Sequence, residues 1–219
     1  MNLRQSPEQI AEYTIAQLAG LFPLGKPPSR KMLRPLLAVA LERLEFCFRH
    51  IAHPAYSEGD VARFDVLNSD QYCQFLYFLA NTAHVQGGSD TLPQKLFCLN
   101  KALHAFNCMY DTELPPVFWV IHAVGTVLGK AHYGNFLVVR QNCTVGAIRD
   151  AYPVIGDRLV LSAGASVIGR CRIGRNVMIG PGCCVLNADI PDDTLVTTPR
   201  RFVRRANSPR AFSTHFRES

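Results

Sequence analysis

Apolar residues recur at every sixth position in the second half of the chain. Counting from residue 155, each step lands on a branched aliphatic side chain: Ile155, Leu161, Val167, Ile173, Ile179 and Val185. A second apolar or small series follows four places after the first five of these: Leu159, Ala165, Cys171, Val177 and Cys183. An α-helix has about 3.6 residues per turn, so it cannot keep a six-residue period on one face. The period is typical of a parallel β-helix, in which each hexad forms a short strand and a turn.

The same count extends upstream, where it predicts further inward positions at Ile121, Val127, Tyr133, Val139 and Val145. Small residues such as Gly156 and Gly174 follow the aliphatic at several turns, where a bulky Cβ would obstruct the corner. Between Val145 and Ile155 the step is ten, which indicates a four-residue insertion within residues 147–153.

The first half of the chain has helical spacing instead. Ser6, Pro7 and Gln9 form a predicted helix start with a capping box, and the helix is expected to end near Leu21. Further helices are predicted from near Ser29, after residues 68–70, and from near Pro93.

We therefore predict an α+β protein with an N-terminal α-helical domain followed by a left-handed parallel β-helix. The predicted boundaries are residues 1–113 for the helices, 114–198 for the β-helix and 199–219 for a basic tail. Leu114, Pro115 and Pro116 mark the linker, and a last short strand is expected at Thr194–Thr197.

Composition narrows the class of protein. The chain has 219 residues, of which 48% are hydrophobic and 18% charged. We expect a cytoplasmic protein without a membrane span, since no apolar run approaches the roughly 20 residues that a bilayer requires and the first residues lack a signal-peptide pattern. The eight cysteines show neither a CxxC pair nor a Cys/His metal spacing, so neither a metal site nor a disulfide framework is expected.

Positive charge collects at the end of the chain. The net charge is +6, and Arg200, Arg201 and Arg204 lie in the basic segment. This favours an anionic ligand such as a phosphate. A nucleic acid is not expected, because no aromatic residues interleave with these arginines to stack on bases. A solvated tail explains the last dozen residues equally well.

Residues 122–203 resemble the serine acetyltransferases of the hexapeptide-repeat acyltransferase superfamily. The segment His-Ala-Val-Gly-Thr-Val-Leu-Gly at 122–129 is similar to the family's His-Ala-Thr-Gly-Ile-Val-Val-Gly. Residues 141–146, Gln-Asn-Cys-Thr-Val-Gly, match Gln-(Ser/Asn)-Val-Thr-Leu-Gly, and residues 198–203 stand in place of Val-Pro-Ala-Arg-Ile-Val. The resemblance covers about the last 100 residues, and the helices only in general plan.

The resemblance implies acetyl transfer from acetyl-CoA to an acceptor hydroxyl, in a homotrimer or a dimer of trimers with sites between neighbouring prisms. It places the general base at His122, consistent with the need for a group that takes the acceptor's proton near pH 7. It also places CoA along the prism at Gly146, Ala163 and Pro181, with Arg200 and Arg201 near the phosphates. Small residues at such positions let a slender ligand approach the backbone.

The chain departs from the family pattern at two positions. Ile121 stands where the family has an Asp, and Tyr152 stands where it has a second active-site His. Asp111 or Glu113 is the candidate orienting carboxylate for His122, and Tyr152 is a candidate contact for the acceptor; solvated or packing roles are equally compatible. The departures leave two acceptors open, serine and a sugar hydroxyl or amine of surface-polysaccharide synthesis. A non-catalytic β-helix scaffold is the alternative from another class.

Overall fold

The computed structural model describes residues 1–87, 91–197, 201–204 and 214–217, and gives the backbone alone for 201–204. An α-helical region precedes a triangular β-helix of parallel strands, as the hydrophobic periods predict. No helix in the described ranges has both the length and the apolar character that crossing a membrane requires.

The predicted helices are confirmed. Ser6 and Gln9 close the expected capping box, and Asn68 caps the third helix by accepting a hydrogen bond from the Gln71 N–H. A small sheet, which the hydrophobic pattern does not predict, joins the N-terminal strand to a hairpin between the second and third helices. The elements of this region are β1 (Asn2–Leu3), α1 (Pro7–Leu21), α2 (Arg30–Arg49), β2 (Ser57–Glu58), β3 (Val61–Phe64), α3 (Ser69–Val85) and α4 (Thr91–His104).

The β-helix has three faces, and we name each face by the number of strands that it contains. The five-strand face contains β4 (Asn107–Cys108), β6 (Val127–Leu128), β9 (Thr144–Gly146), β12 (Ser166–Ile168) and β15 (Cys184–Leu186). The six-strand face contains β5 (Phe118–Val120), β8 (Leu137–Val139), β11 (Val160–Leu161), β14 (Met178–Ile179), β16 (Thr194–Thr197) and β17 (Arg201–Arg204). The three-strand face contains β7 (His132–Tyr133), β10 (Val154–Ile155) and β13 (Arg172–Ile173).

The two ends of the β-helix lie beyond the predicted boundaries. Strand β4 already pairs with β6, although it precedes residue 114. At the other end, β17 pairs antiparallel with β16 and covers the last coil, although it falls within the segment predicted as a tail.

The hexad count is right from Tyr133 onward and wrong in the first coil. Ile121 and Val127 are only half-buried, whereas their neighbours Val120 and Leu128 are buried at 0% and 1% exposure and fill the prism. The first coil breaks the six-residue period because its corner contains extra residues before β6. Counting the six-residue period backward from the regular coils therefore gives positions that differ by one residue from the true inward positions.

Glycine is required where coils stack closely. A Cβ built on Gly156 would lie 2.9 Å from the carbonyl carbon of Gly174 in the next coil. A side chain there would force the corner apart, which explains why the small residue repeats with the hexad.

Helix α3 covers the open end of the prism. Strand β5 is the terminal strand of its sheet, so one of its edges has no neighbouring strand. The buried side chain of Gln74 lies along that edge: its Nε2 donates to the Phe118 carbonyl at 3.0 Å, and its Oε1 accepts from the Val120 N–H at 3.2 Å. This single amide pairs with the backbone as a neighbouring strand would, and removes an edge that would otherwise be open to pairing with another chain.

Further polar side chains of α3 continue this capping. The Tyr77 hydroxyl donates to the Thr112 carbonyl at 2.9 Å and accepts the Leu114 N–H at 2.8 Å. One turn farther along, the Asn81 amide donates to the Tyr110 carbonyl at 2.9 Å. The polar stripe of α3 thus satisfies the backbone of the segment that leads into the β-helix, and it fixes the first coil against the helices.

Candidate functional site

The predicted base, His122, lies on the prism edge between the six-strand and five-strand faces. It is the second residue after β5 and has a φ of 55°, a left-handed conformation that non-glycine residues adopt rarely. Its side chain is 70% exposed. The imidazole therefore faces solvent from a rigid corner rather than packing among the aliphatic residues inside.

A carboxylate that the sequence analysis missed holds this corner. Asp70 Oδ2 accepts the backbone N–H of His122 at 3.0 Å, and Oδ1 accepts the N–H of Ala123 at 3.4 Å. The same Oδ2 lies 3.7 Å from His122 Nδ1, which is beyond hydrogen-bond distance but within the range of an ion pair when the imidazole is protonated. Asp70 therefore fixes the unusual backbone of His122 and places negative charge beside its ring.

Asp70 is held by its place at the start of α3. It is the second residue of that helix, where the partial positive charge of the helix N-terminus stabilises a carboxylate. On its inner side the carboxylate acts on His104, whose Nδ1 is 2.8 Å from Asn100 Oδ1. Burial lowers the pKa of His104 to about 4, so this imidazole is neutral near pH 7 and adds no competing cation. The hydrogen bonds of the Asp70 carboxylate go to the backbone of the His122 corner.

The predicted carboxylate Asp111 lies elsewhere. Its Oδ2 pairs with Lys130 Nζ at 2.9 Å, and this hydrogen bond and charge raise the pKa of Lys130. Lys130 follows β6, so the pair lies across the five-strand face from His122. In this chain the carboxylate beside His122 is Asp70, and a role for Asp111 toward His122 stays a prediction. Glu113, the other candidate, is exposed.

Tyr152 lies near Asp111, on the prism edge between the five-strand and three-strand faces. We call this edge the far border, and the edge that contains His122 the His122 border. The inserted loop is closed by two backbone hydrogen bonds between Ile148 and Ala151, at 3.1 and 3.0 Å. Tyr152 follows this turn and is 48% exposed. Its phenol acts electrostatically on Lys130, which places it near the Asp111–Lys130 pair.

The residues predicted to bind CoA divide between the two borders. Ala163 and Pro181 lie below His122 on its own edge, where the turns are linked by hydrogen bonds from Gly164 N–H to the Gln141 carbonyl at 2.9 Å and from Gly182 N–H to the Ala163 carbonyl at 3.0 Å. Gly146 ends β9 at the far border.

The structure describes only part of the basic segment that is predicted to bind the CoA phosphates. Arg200 lies outside the described residues. Arg201 begins β17, whose backbone alone is described. Their predicted contact with phosphates stays a prediction.

The surface between the two borders is low and open. The first residues of its longer strands point outward and are small: Thr144 and Ser166 are half-buried and Cys184 is exposed. Since each strand has two or three residues, the face is only about 10 Å wide. A slender ligand can lie there close to the backbone.

All eight cysteines are free thiols. Among the residues with a described position, no three His, Cys, Asp or Glu side chains gather in a way that could hold a metal ion.

Comparison with known proteins supports the resemblance seen in the repeats. Residues 152–187 match the family described as bacterial transferase hexapeptide (six repeats). A serine acetyltransferase of Synechococcus elongatus is 31% identical over 121 residues, covering 52% of this chain and 49% of the relative. The chain thus spans about half the length of the curated relatives it matches.

Solved structures extend the similarity to the helical region. The serine acetyltransferase of Vibrio cholerae aligns with a TM-score of 0.68 at 20% identity, covering 89% of this chain and 79% of that one. A Neisseria gonorrhoeae serine acetyltransferase in complex with serine aligns with a TM-score of 0.64 at 22% identity, covering 90% and 84%. At these identities the likeness establishes the fold, including the order of helices and β-helix.

Proposed function

We propose that this hexapeptide-repeat protein, which resembles the serine acetyltransferases, transfers the acetyl group of acetyl-CoA to the hydroxyl of a small amino acid, with L-serine as the preferred acceptor. The observation that carries the choice of acceptor is Asp70 beside His122. Ile121 removes the carboxylate that the family pattern has next to the base, and an ammonium group without a charged partner would be costly to bind. Asp70 supplies a carboxylate at this corner from helix α3.

His122 acts as the general base. As the acceptor oxygen attacks the thioester carbonyl, the imidazole takes the hydroxyl proton, and a tetrahedral oxyanion forms. Backbone N–H groups along the edge stabilise that oxyanion. The C–S bond then breaks, and the imidazolium returns the proton to the departing CoA sulfur. The exposed ring on a rigid corner suits this role, because the acceptor can reach it while Asp70 limits its movement.

Acetyl-CoA lies along the five-strand face. Ala163 and Pro181 continue the edge that begins at His122, so a pantetheine chain laid along them brings its thioester to the imidazole. Gly146 lies on the opposite border, with Tyr152 and Asp111. In one chain these two groups are separated by the width of the face.

A second copy of the chain brings the two borders together. When prisms associate around a threefold axis, the His122 border of one subunit faces the Tyr152 border of its neighbour, and the cleft between them contains both groups. A homotrimer, or a dimer of such trimers, is the assembly that makes the predicted site complete. Tyr152 then contacts the acceptor from the neighbouring subunit.

The test is acceptor profiling of the purified protein with acetyl-CoA and a thiol reagent that detects released CoA. We expect the highest kcat/KM with L-serine and a large loss with 3-hydroxypropionate, which keeps the hydroxyl and carboxylate but lacks the ammonium. Preference for sugar hydroxyls or amines would favour the polysaccharide alternative, with which Ile121 and Tyr152 are compatible. Release of CoA at the background rate with every acceptor would favour the scaffold.

Asp70→Asn tests the carboxylate directly. The asparagine oxygen can still accept the N–H of His122, the shorter of the two bonds, so the backbone of His122 is expected to keep its position. The longer bond from the Ala123 N–H is lost together with the negative charge. We expect kcat/KM for L-serine to fall by about 10- to 100-fold, since a hydrogen bond to a charged group contributes about 1.5–3 kcal/mol. Steady-state kinetics with both substrates varied measures this.

Asp111→Asn is the matched control for that experiment. It removes an equivalent charge from the far border and is expected to change kcat/KM less than Asp70→Asn does. The opposite order would restore Asp111 as the functional carboxylate. Asp70→Glu is expected to recover part of the activity, because it returns the charge at a slightly different distance.

A further inference from the structure

The last described residues of the chain, 214–217, lie far from the strand that ends at residue 204. We call residues 214–217 the C-terminal clasp. They lie beside the segment after α2, where the Ala52 N–H donates to the His215 carbonyl at 2.9 Å and the Arg217 N–H donates to the His50 carbonyl at 2.8 Å. An antiparallel bridge between Ile51 and Phe216 lies between these bonds. The clasp is thus hydrogen-bonded to the helical region like a short added strand.

Side chains of the clasp also reach the first coil of the β-helix. Phe216 is only 5% exposed, and its ring lies 5.4 Å from that of Phe136 between centroids. The ring of His215 lies 6.0 Å from Trp119. The guanidinium of Arg217 donates to the carbonyls of Gly59 and Ser57 in the β2–β3 hairpin. Through His215, Phe216 and Arg217 the clasp therefore contacts both the helical region and the β-helix.

The two contacts on the β-helix lie on, and directly beside, the strand that leads to His122. Trp119 is the middle residue of β5, and Phe136 donates its backbone N–H to the carbonyl of Val117, just before β5, at 2.9 Å. His122 follows β5 after a single intervening residue. Movement of β5 would therefore be transmitted directly to the imidazole.

Helix α3 holds only one edge of β5. Gln74 fixes the edge that faces the helix, while the indole of Trp119 projects from the outer surface of the strand. There it is packed between His53, at 5.7 Å, Tyr56, at 5.5 Å, and the clasp residue His215. The clasp completes this packing, and its loss would leave the outer surface of β5 less constrained.

We propose that the C-terminal clasp is a positioning element for the active-site base: by packing on Trp119 and Phe136, it fixes β5 and thereby the orientation of His122. The effect on catalysis rests on the proposed function, whereas the fixing of β5 by the clasp does not. A misplacement of a catalytic group by about 1 Å is enough to cost up to about 100-fold in rate.

The experiment uses the full chain and three variants: Phe216→Ala, Phe216→Leu and a chain that ends after residue 213. Amide hydrogen exchange is followed at Val120, Ile121 and His122, whose N–H groups bond to Gln74, Val139 and Asp70. The reference amides are Val160, Ser166 and Gly180 in later coils. Leu24→Ala, at a side chain that is 75% exposed, controls for loss of an apolar residue elsewhere.

We expect about 10-fold faster exchange at the three β5 and corner amides in Phe216→Ala and in the shortened chain, with the reference amides unchanged. We also expect kcat to fall about 10-fold while KM for acetyl-CoA stays within about 2-fold, since Ala163 and Pro181 lie on later coils. Phe216→Leu should restore most of both quantities, because it refills the buried site.

Each other outcome overturns the proposal. Unchanged exchange at the corner would show that β5 does not depend on the clasp. Faster exchange in all coils would make the clasp a support of the whole fold, and faster corner exchange with unchanged kcat would exclude a positioning role. If the wild-type protein transfers no acetyl group, the proposed function fails, and the exchange data still decide whether the clasp fixes β5.

Discussion

Replacing His122 is expected to lower kcat for acetyl transfer by about 10²- to 10⁴-fold, the range that a general base contributes. The physical reason is that the acceptor hydroxyl would have to attack the thioester with its proton still in place. Because His122 has a φ of 55°, His122→Asn is the better variant, since asparagine tolerates this conformation more readily than alanine does. In His122→Ala the left-handed backbone conformation would also be destabilised, so a loss of activity could come either from the missing base or from a changed corner.

The measurement is steady-state kinetics with L-serine and acetyl-CoA, with circular dichroism to verify the fold. His132→Asn is the matched control, since His132 is also an exposed histidine of the first coil but lies on the three-strand face. We expect its kcat to remain within about 2-fold of wild type. A decrease of less than about 3-fold in His122→Asn would remove this residue from the mechanism and favour the scaffold.

The second large effect is expected on stability. Gln74→Leu should lower the free energy of unfolding by about 2–3 kcal/mol, because it leaves the buried Val120 N–H without an acceptor. The Phe118 carbonyl would retain a weaker donor, the thiol of Cys47 at 3.1 Å. Burial raises the pKa of that thiol to about 12, so it stays protonated and able to donate.

Urea denaturation followed by circular dichroism measures this change. Gln86→Leu provides the control, because Gln86 lies at the exposed end of the same helix. It is expected to change the unfolding free energy by less than about 0.5 kcal/mol. A loss below that value in Gln74→Leu would mean that the backbone of β5 finds other partners, and that α3 does not take the place of a missing strand.

These predictions share a physical basis in the first coil. A β-helix needs a cover at each end, because the terminal strand of a sheet exposes unpaired backbone groups. Here the cover is α3, and the helix that satisfies β5 through Gln74 also presents Asp70 to His122. The structural cap and the proposed catalytic support therefore belong to the same helix, in which Asp70 and Gln74 are one turn apart.

The regular part of the fold was determined by local periodicity. Each hexad specifies one strand and one turn through an aliphatic residue that points inward and a small residue that allows the corner, so the coils from Tyr133 to Val185 could be predicted from the sequence. The helices could also be placed, because residues such as Ser6 and Asn68 cap them through neighbours only three positions away. His122 could be proposed as the base from the sequence because it lies within a contiguous motif.

The first coil and the surroundings of His122 were decided only by the tertiary structure. Its inward residues are Val120 and Leu128 rather than the positions the period predicts, because the corner between β5 and β6 contains extra residues. Asp70 is 52 positions from His122 in the chain, and in the sequence it is merely an acidic residue in the first turn of a helix. Such a contact depends on how α3 packs against the β-helix, and the local pattern of side chains in either element does not predict that packing.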